Sequence, residues 1–346
     1  MRCSWLIPVR DGGTWLAEAV RSALAGCSDE DEVVLVDDGS VDGAVEALTP
    51  HPKLRTLHQP KRGLVAALEH GRGQCRGQYI ARLDADDIAL PGRLDHQIAA
   101  LDTDPNLAAV GGRARLFTDS GPVAKGMQCY VDWINNLDDP HRELLVESPL
   151  LHPAVTFRTA HVEHAGGYRS GEIPEDYDLW LRLVVNGHRI ANVPYEVVSI
   201  RDHAGRLTRT DPRYSRTAFD SCRRKFLQAT ALAGPCRVVL WAGVRGGRPW
   251  LRWLKTGGHQ IVAVIDITKS TVRSSVPVLP PAALLDLELD VLLVAVGTRG
   301  ARDRIRNELA VRRPDLVEGH NWWALLRCRI ETADQQRISN LRGRNV

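Results

Sequence analysis

The sequence predicts an α/β fold in which two domains each contain a largely parallel sheet. Three observations predict it: a length of 346 residues, short apolar runs that alternate with helical patterns in the first half, and a second such series after residue 235. Alternating strands and helices form right-handed βαβ units, which assemble parallel sheets. We expect a larger domain over 1–210, a connecting helix over 211–235, a smaller α/β domain over 236–330 and a tail over 331–346.

The first half supports this fold element by element. The strand "CSWLIPV" precedes the helix "WLAEAVRSALAG", "EVVLVDD" precedes "VDGAVEAL", "LRTLHQP" precedes "GLVAALEHGR", and "QYIARLDADD" precedes "RLDHQIAALD". Further strands are predicted at "LAAVGGRARLF", "HPAVTF" and "EVVSI", and an amphipathic helix at "DYDLWLRLVVNG". The segment 211–235 has an apolar stripe and ends at Gly234-Pro235, which predicts one continuous helix.

Composition excludes several classes of protein. A net charge of +3 with both signs interspersed gives no basic footprint, so no nucleic-acid partner is expected. The seven cysteines form no CxxC pair, which is typical of a reducing compartment. Without a signal-peptide core or an apolar run near the ~20 residues that span a bilayer, a cytoplasmic protein is expected. The basic stretch 213–225 suits peripheral contact with anionic lipid at the inner face of the membrane, with a solvated charged face as the alternative.

Polar side chains follow three of the predicted strands. Pro8 and Arg10 come at the end of the first, Asp37 and Asp38 end the second, and residues 84–87 follow the fourth. Ligands of parallel α/β sheets bind at the carboxyl ends of the strands. These residues therefore predict a binding site along one edge of the sheet.

Asp84 and Asp86 indicate a metal site. Side chains at i and i+2 on an extended chain point to the same side. Hard carboxylate oxygens suit Mg²⁺ or Mn²⁺, with substrate phosphates as the remaining ligands, and such a cation neutralises a departing diphosphate. The alternative is an ordinary turn whose aspartates cap the helix that begins near Pro91.

Five segments together resemble the family 2 glycosyltransferases with the GT-A fold. They occur in that family's order and spacing over the first two thirds of the chain: "IPVRDGG", "VVLVDDGSVDG", "GQYIARLDADDIALPGRL", "HPAVTFR" and "GGYRSGEIPEDYDLWLRL". The resemblance implies metal-dependent, inverting transfer of a sugar from a nucleotide-diphosphate sugar to a hydroxyl of a glycan, lipid-linked or small-molecule acceptor. The QxxRW motif of processive synthases is missing, so one sugar per encounter is expected.

The same resemblance implies roles for the residues at the sheet edge. Pro8 and Arg10 would flank the base, Asp37 or Asp38 would hydrogen-bond it, Asp84 would reach the ribose, Asp86 would hold the metal, and Arg62 would lie near the diphosphate. The sequence departs from the family pattern at two places. Arg10 replaces the frequent aromatic of "PVYN", and Glu69-His70 replaces a frequent Asn-Gly.

The catalytic base of the family falls on Asp176. Inverting transfer needs one carboxylate to take a proton from the acceptor hydroxyl. Glu175 is the substitute candidate, Asp178 is expected to cap the following helix, and capping is also the alternative for Asp176 itself.

Three further residues are candidates. "SIRDHAGRLTR" resembles a segment that closes over the diphosphate, which makes Arg201 and His203 candidates for anion contacts, although Arg206 and Thr208 replace the family's serines. His152 is a candidate for the acceptor pocket, with a structural histidine as the alternative.

The second domain contains a strand, a glycine turn and a helix in "VVLWAGVRGGRPWLRWL". Gly243 and Gly246 are candidates for nucleotide binding in a Rossmann-like half-domain, and Asp266 follows the next strand at the position of a ribose-binding acid. The glycine fingerprint is incomplete. Two other functions remain: a nucleotide-sugar-binding or regulatory protein with a degenerate transferase domain, and an NAD-dependent oxidoreductase that uses this second domain.

Overall fold

The computed structural model describes residues 1–267, 272–298 and 300–325, apart from the side chains of residues 244 and 245. The predicted tail over 331–346 lies outside the described residues. Two compact units are present, and each has its own sheet. The first comprises Met1–Leu144 and Ser148–Phe226, and the second comprises Leu145–Glu147 and the chain from Leu227 onward. The prediction of an α/β fold with a second, smaller sheet domain is confirmed.

Eight strands form the sheet of the first unit. They are β1 (Cys3–Val9), β2 (Asp31–Asp37), β3 (Leu54–His58), β4 (Tyr79–Arg82), β5 (Ile88–Ala89), β6 (Leu107–Phe117), β7 (Thr156–Arg158) and β8 (Arg189–Arg201). Their order is β3-β2-β1-β4-β7-β6-β8-β5. The first four of this order are parallel, β7 is antiparallel to both β4 and β6, and β5 is antiparallel to β8. The carboxyl ends of β1, β2 and β4 therefore meet at one edge.

Helices connect the strands of this sheet, and two further helices follow its last strand. They are α1 (Leu16–Ala25), α2 (Leu64–Gln74), α3 (Arg93–Thr103), α4 (Lys125–Asn135), α5 (Thr159–His164), α6 (Glu175–Val185), α7 (Leu207–Thr210) and α8 (Arg216–Ala229). The prediction of one continuous helix over 211–235 is wrong at both ends, because α8 covers only Arg216–Ala229. A 3-10 turn at Pro212–Tyr214 precedes α8. Asp211 caps this turn, and its carboxylate accepts a hydrogen bond from the Arg213 amide.

A helix was also expected at 41–48, and the structure has turns there instead. Hydrogen bonds to the segment after β1 hold this loop. The Asp11 carboxylate accepts a hydrogen bond from the Val41 amide at 2.9 Å, and the Asp42 carboxylate accepts one from the Gly13 amide at 2.8 Å. These contacts to the end of β1 override the local helical pattern, because tertiary contacts outweigh a short run of helix-forming residues.

Two buried polar side chains of α3 support the middle of the sheet. Arg93, 1% exposed, donates hydrogen bonds to the carbonyl oxygens of Pro153 and Arg82, both at 2.7 Å. Gln97 donates to the Ala154 carbonyl at 2.7 Å. These side chains satisfy carbonyl oxygens at the end of β4 and in the turn before the short strand β7, as buried polar groups require.

The second unit has strands β9 (Arg237–Trp241), β10 (Gln260–Ile265), β11 (Val272–Arg273), β12 (Val276–Leu279), β13 (Val291–Val294) and β14 (Trp322–Ala324), with helices α9 (Val244–Thr256) and α10 (Ala301–Arg312). The order is β11-β12-β10-β9-β13-β14, parallel except for β11. Across both units, the described helices include none with the length and apolar character that crossing a bilayer requires.

Candidate active site

An acidic turn follows β4 at the carboxyl edge of the first sheet. We call residues 84–87 the aspartate turn. Its three carboxylates, from Asp84, Asp86 and Asp87, each offer an oxygen within 4.8 Å of the others. The side chains of Asp84 and Asp86 are 29% and 25% exposed, whereas Asp87 is fully buried. The turn thus presents two accessible carboxylates above one enclosed carboxyl group.

Cationic side chains surround the aspartate turn. Arg82 donates hydrogen bonds to Asp84 and to the Leu83 carbonyl, and His203 Nε2 lies 2.7 Å from an Asp86 carboxylate oxygen. Burial alone would raise the pKa of Asp84. The guanidiniums of Arg82 and then Arg206 outweigh burial and hold that pKa below its ordinary value.

Asp87 has one satisfied and one unsatisfied oxygen. Oδ1 accepts a hydrogen bond from the Arg201 amide at 2.9 Å, whereas Oδ2 is buried without a hydrogen-bond partner among the described residues. Burial, reinforced by the charges of Asp86 and Asp84, raises the pKa of Asp87 well above its ordinary value, although Arg206 opposes this. A hard cation beside the turn would give this oxygen an electrostatic partner, so the donor set fits Mg²⁺ or Mn²⁺.

The capping alternative for the aspartate turn is not what the structure shows. The residue that caps α3 is Gly92, and no side chain hydrogen-bonds to the helix start there. Asp87 instead makes a backbone hydrogen bond to Asp84 within the turn, at 3.3 Å.

Arg201, predicted to contact a diphosphate, is engaged within the protein. Its side chain is 4% exposed, its Nε donates to the Asp86 carbonyl at 3.0 Å, and its other nitrogens pair with Glu18 and Asp119. Arg201 thereby fixes the end of β8 against the aspartate turn. His203, predicted for the same role, lies beside Asp86 and packs against Trp15 with ring centroids 4.7 Å apart.

Asp38 shapes the loop that follows β3. One of its oxygens accepts hydrogen bonds from Gln59 Nε2 at 2.7 Å and the Arg62 amide at 2.8 Å, and the other accepts from the Gly63 amide at 2.8 Å. Both oxygens of this buried carboxylate are therefore occupied. The loop in turn presents the Arg62 side chain to solvent.

The remaining residues predicted for the nucleotide lie at the same edge. Pro8 is buried within β1, and the Arg10 side chain is exposed just beyond the strand. Asp37 ends β2 opposite Val9 of β1, and its carboxylate accepts from the Ser40 amide at 2.9 Å and contacts His58 Nδ1 at 3.1 Å.

The candidate base lies in the first turn of α6. Asp176 is half-buried, and its Oδ1 accepts a hydrogen bond from the Tyr177 amide at 2.7 Å. Burial and then the charge of Glu175 raise the pKa of Asp176 to about 8, and Asp84 acts in the same direction. Asp84 therefore lies within electrostatic range of the candidate base, which links the two predicted parts of the site.

Glu175 differs from its neighbour by being enclosed and partnered. It is 1% exposed, and both carboxylate oxygens accept from the Tyr214 hydroxyl, at 2.8 and 3.0 Å. Asp178 does not cap the helix as expected: it pairs with Arg182 at 2.8 Å one turn further on, and no side chain caps the start of α6 at Pro174. Asp176 is thus the accessible carboxylate of this turn.

His152 is buried next to Glu175. Its Nε2 is 2.8 Å from the Tyr168 hydroxyl and its Nδ1 is 3.9 Å from Glu175. Burial and then the Arg82 charge lower the pKa of His152 well below its ordinary value, so the ring is neutral. These contacts make His152 part of a buried hydrogen-bond network.

Sequence reasoning missed four residues that surround the candidate base and the aspartate turn, which are Arg82, Tyr168, Arg213 and Tyr214. A signal existed for Arg82, because a charged residue inside the apolar run of β4 is buried only when it is paired. The partner of Glu175, Tyr214, follows it by 39 residues, and no local pattern marks such a pair.

The candidates in the second unit lie around the ends of β9 and β10. Gly243 is the residue before α9, and Gly246 lies in its first turn. Asp266 is buried and accepts from Arg273 at 2.6 Å, and Arg273 also donates to the Ala242 carbonyl at 3.0 Å. The Asp266 carboxylate is therefore paired within the protein.

Comparison with known proteins finds a family match within the first unit. Residues 4–164 match the family model described as Glycosyl transferase family 2. This segment contains β1 to β7 and the aspartate turn, so the predictions of a glycosyltransferase domain and of a GT-A-like fold are confirmed.

Similar proteins include two curated glycosyltransferases and one solved structure. The amylovoran biosynthesis glycosyltransferase AmsE of Erwinia amylovora is 33% identical over 176 residues, 49% of this chain and 64% of that protein. The UDP-Gal:alpha-D-GlcNAc-diphosphoundecaprenol beta-1,3-galactosyltransferase of Escherichia coli is 27% identical over 200 residues, 56% of this chain and 71% of that protein. The structure of S. aureus TarS 1-349 in complex with UDP-GlcNAc has a TM-score of 0.48 and 17% identity, with 66% of each chain covered. The chain thus spans less than two thirds of AmsE.

Proposed function

We propose that this chain is an inverting, metal-dependent glycosyltransferase that transfers one sugar from a nucleotide-diphosphate sugar to an acceptor hydroxyl. The observation that carries the proposal is the aspartate turn, which combines two accessible carboxylates with a buried oxygen that has no hydrogen-bond partner among the described residues. Asp84 of this turn lies within electrostatic range of Asp176. The family match over residues 4–164 supports the reaction class. The E. coli relative is named for a UDP-Gal donor and an alpha-D-GlcNAc-diphosphoundecaprenol acceptor, which supports a UDP-sugar donor and a lipid-linked acceptor here, with other glycans and small molecules as alternatives.

Asp84, Asp86 and His203 would hold Mn²⁺ or Mg²⁺ in this proposal. When bound, the cation supplies positive charge for a departing diphosphate, which replaces the general acid of a hydrolase. His203 Nε2 and an Asp86 carboxylate oxygen are 2.7 Å apart, so both would lie within reach of the same cation.

The nucleotide would lie across the carboxyl ends of β1 and β2. Asp38 holds the loop before α2 through three hydrogen bonds and thereby places Arg62 at this edge, where its guanidinium would contact the diphosphate. Arg10, exposed at the end of β1, would lie over the base and replace aromatic stacking by its planar guanidinium. Asp37 would position the loop after β2 through Ser40.

Asp176 would act as the general base. Its carboxylate takes the proton from the acceptor hydroxyl while that oxygen bonds to the anomeric carbon and the bond to the diphosphate oxygen breaks on the opposite face. A raised pKa makes the carboxylate a stronger proton acceptor, and the buried charge of Glu175 contributes to that raised pKa. Glu175 would act through Asp176, because Tyr214 encloses it.

For the second unit we propose a Rossmann-like architecture. Its parallel strands follow the order β12-β10-β9-β13-β14, in which the chain moves outward from β9 in both directions. An ion pair with Arg273 occupies the predicted ribose-binding acid Asp266. This pairing disfavours the dinucleotide-dependent oxidoreductase.

Donor binding and transfer with a panel of UDP-sugars test the proposed function. We expect a UDP-sugar to raise the melting temperature only with Mn²⁺, and sugar transfer to an added lipid-diphosphate acceptor to stop with EDTA. Asp86→Ala removes both effects, whereas Asp95→Ala, at an exposed aspartate of α3, retains them. Donor stabilisation that persists in EDTA, or in Asp86→Ala, would contradict the metal-dependent mechanism.

A further inference from the structure

Arg206 is a buried cation beside the aspartate turn. Its side chain is 10% exposed although it lies between the exposed residues Gly205 and Leu207. One nitrogen, Nη1, lies 3.6 Å from Asp87 Oδ1 and donates a hydrogen bond to the Arg201 carbonyl at 2.8 Å. The Nε atom is buried and has no partner among the described residues.

The three arginines at the aspartate turn are held to different degrees. Arg82 is fully buried in β4 and hydrogen-bonds to Asp84 and the Leu83 carbonyl. Arg201 is fixed by two carboxylates and a carbonyl. Arg206 has one hydrogen bond and one long ion pair, and it follows directly on the exposed residues Ala204 and Gly205. Of these three guanidiniums, that of Arg206 moves at the lowest cost.

The Arg206 guanidinium balances the negative charge of the aspartate turn. Three carboxyl groups within 4.8 Å of one another repel if all are ionised. Arg206 interacts electrostatically with all three, and they in turn raise its pKa. A divalent cation at the same carboxylates would make that positive charge superfluous and would repel it.

We propose that Arg206 is an internal counter-ion that neutralises the aspartate turn in the metal-free protein and moves to the donor diphosphate when a divalent cation enters. The proposal rests on the proposed function for the diphosphate. Its first half concerns the metal-free protein alone. A guanidinium suits both positions, because it pairs with carboxylates and with phosphates through the same planar array of donors.

Binding of Mn²⁺ to the donor-free protein tests the first half. Electron paramagnetic resonance of free Mn²⁺ gives the dissociation constant for the full chain. We expect Arg206→Gln to bind Mn²⁺ about tenfold more tightly than the unmodified protein, because one positive charge next to the cation is removed. Arg206→Lys keeps the charge and should stay within about threefold of the unmodified protein.

Arg209→Gln is the matched control. Arg209 lies three residues further along the same segment, pairs with Asp202 and donates to the His203 carbonyl at 2.8 Å, so it shares the environment without facing the cluster. The Mn²⁺ affinity of Arg209→Gln should stay within about twofold of that of the unmodified protein. Equal Mn²⁺ affinity in Arg206→Gln and Arg206→Lys, or weaker binding in Arg206→Gln, would overturn the proposal, and so would an equal gain in Arg209→Gln.

Titration with UDP at saturating Mn²⁺ tests the second half. Arg206→Gln should bind UDP about tenfold more weakly, because one contact to the diphosphate is lost. Unchanged UDP affinity would overturn the movement to the diphosphate. If the unmodified protein transfers no sugar while Arg206→Gln still binds Mn²⁺ more tightly than it does, the proposed function is refuted and the counter-ion role stands. The two failures are therefore distinguishable.

Discussion

Replacing Glu175 by Gln should shift the pH dependence of transfer toward acid. The change keeps the size of the side chain and a hydrogen bond with Tyr214, but removes the negative charge next to Asp176. The base must be ionised, and the pKa of Asp176 is about 8, so kcat/KM should rise with pH until that group has lost its proton. A bound cation lowers this pKa in both proteins, and the comparison is therefore made at one saturating Mn²⁺ concentration.

The structure ranks the causes of the raised pKa of Asp176. Burial is the largest cause of the raised pKa of Asp176, and the charge of Glu175 is the second. Removing the second cause should lower the pKa by about one unit, equivalent to ~1.4 kcal/mol between the two protonation states. At a pH well below the midpoint, kcat/KM relative to its own plateau should rise about tenfold.

The assay is a pH profile of kcat/KM from pH 5.5 to pH 9.5 by UDP release. Tyr214→Phe is the companion variant: it keeps the titratable carboxyl group of Glu175 but removes the hydroxyl that donates to it. Glu175 then holds its proton to a higher pH, so the midpoint should move in the same direction by less. An unchanged midpoint in Glu175→Gln, or a shift toward alkaline pH, would refute the electrostatic coupling of these two carboxylates.

Two further predictions concern stability of the first unit. Asp38→Ala should lower the free energy of unfolding by about 3 kcal/mol, because a buried carboxylate that accepts three hydrogen bonds is lost; urea denaturation followed by tryptophan fluorescence measures it, and a loss below about 1 kcal/mol would contradict the role of Asp38 in the loop. Arg93→Met should cost about 2–4 kcal/mol, since the carbonyls of Arg82, Pro153 and Val155 lose a donor while the apolar volume is retained; equal stability of this variant would show that other groups satisfy those carbonyls.

The sequence predicted the strands well where each contains an apolar run. β1, β2 and β4 each contain an apolar run, and β6 is predicted to the residue as Leu107–Phe117. β5 has only two residues and exists through its pairing with β8, so no run marks it. The apolar run "EVVSI" identifies only the end of β8, which begins at Arg189 by pairing with β6.

The candidate site was predictable where its residues are close in sequence. The aspartate turn lies within four residues, and the proximity of its three carboxyl groups follows from that spacing. The enclosure of Glu175 by Tyr214 and the ion pair of Arg206 with Asp87 depend on how distant segments pack. Burial decides which carboxylate of a pair is accessible, and the sequence "EDYD" does not encode burial by itself.

The most direct test of the central claim is transfer by Asp176→Asn beside Asp178→Asn. Both remove one carboxylate from the first turn of α6, but Asp178 pairs with Arg182, whereas Asp176 is the accessible group. The account predicts that Asp176→Asn binds UDP with Mn²⁺ as the unmodified protein does and loses transfer by at least about a thousandfold, while Asp178→Asn keeps measurable transfer. Transfer by Asp176→Asn within about tenfold of the unmodified rate would contradict it.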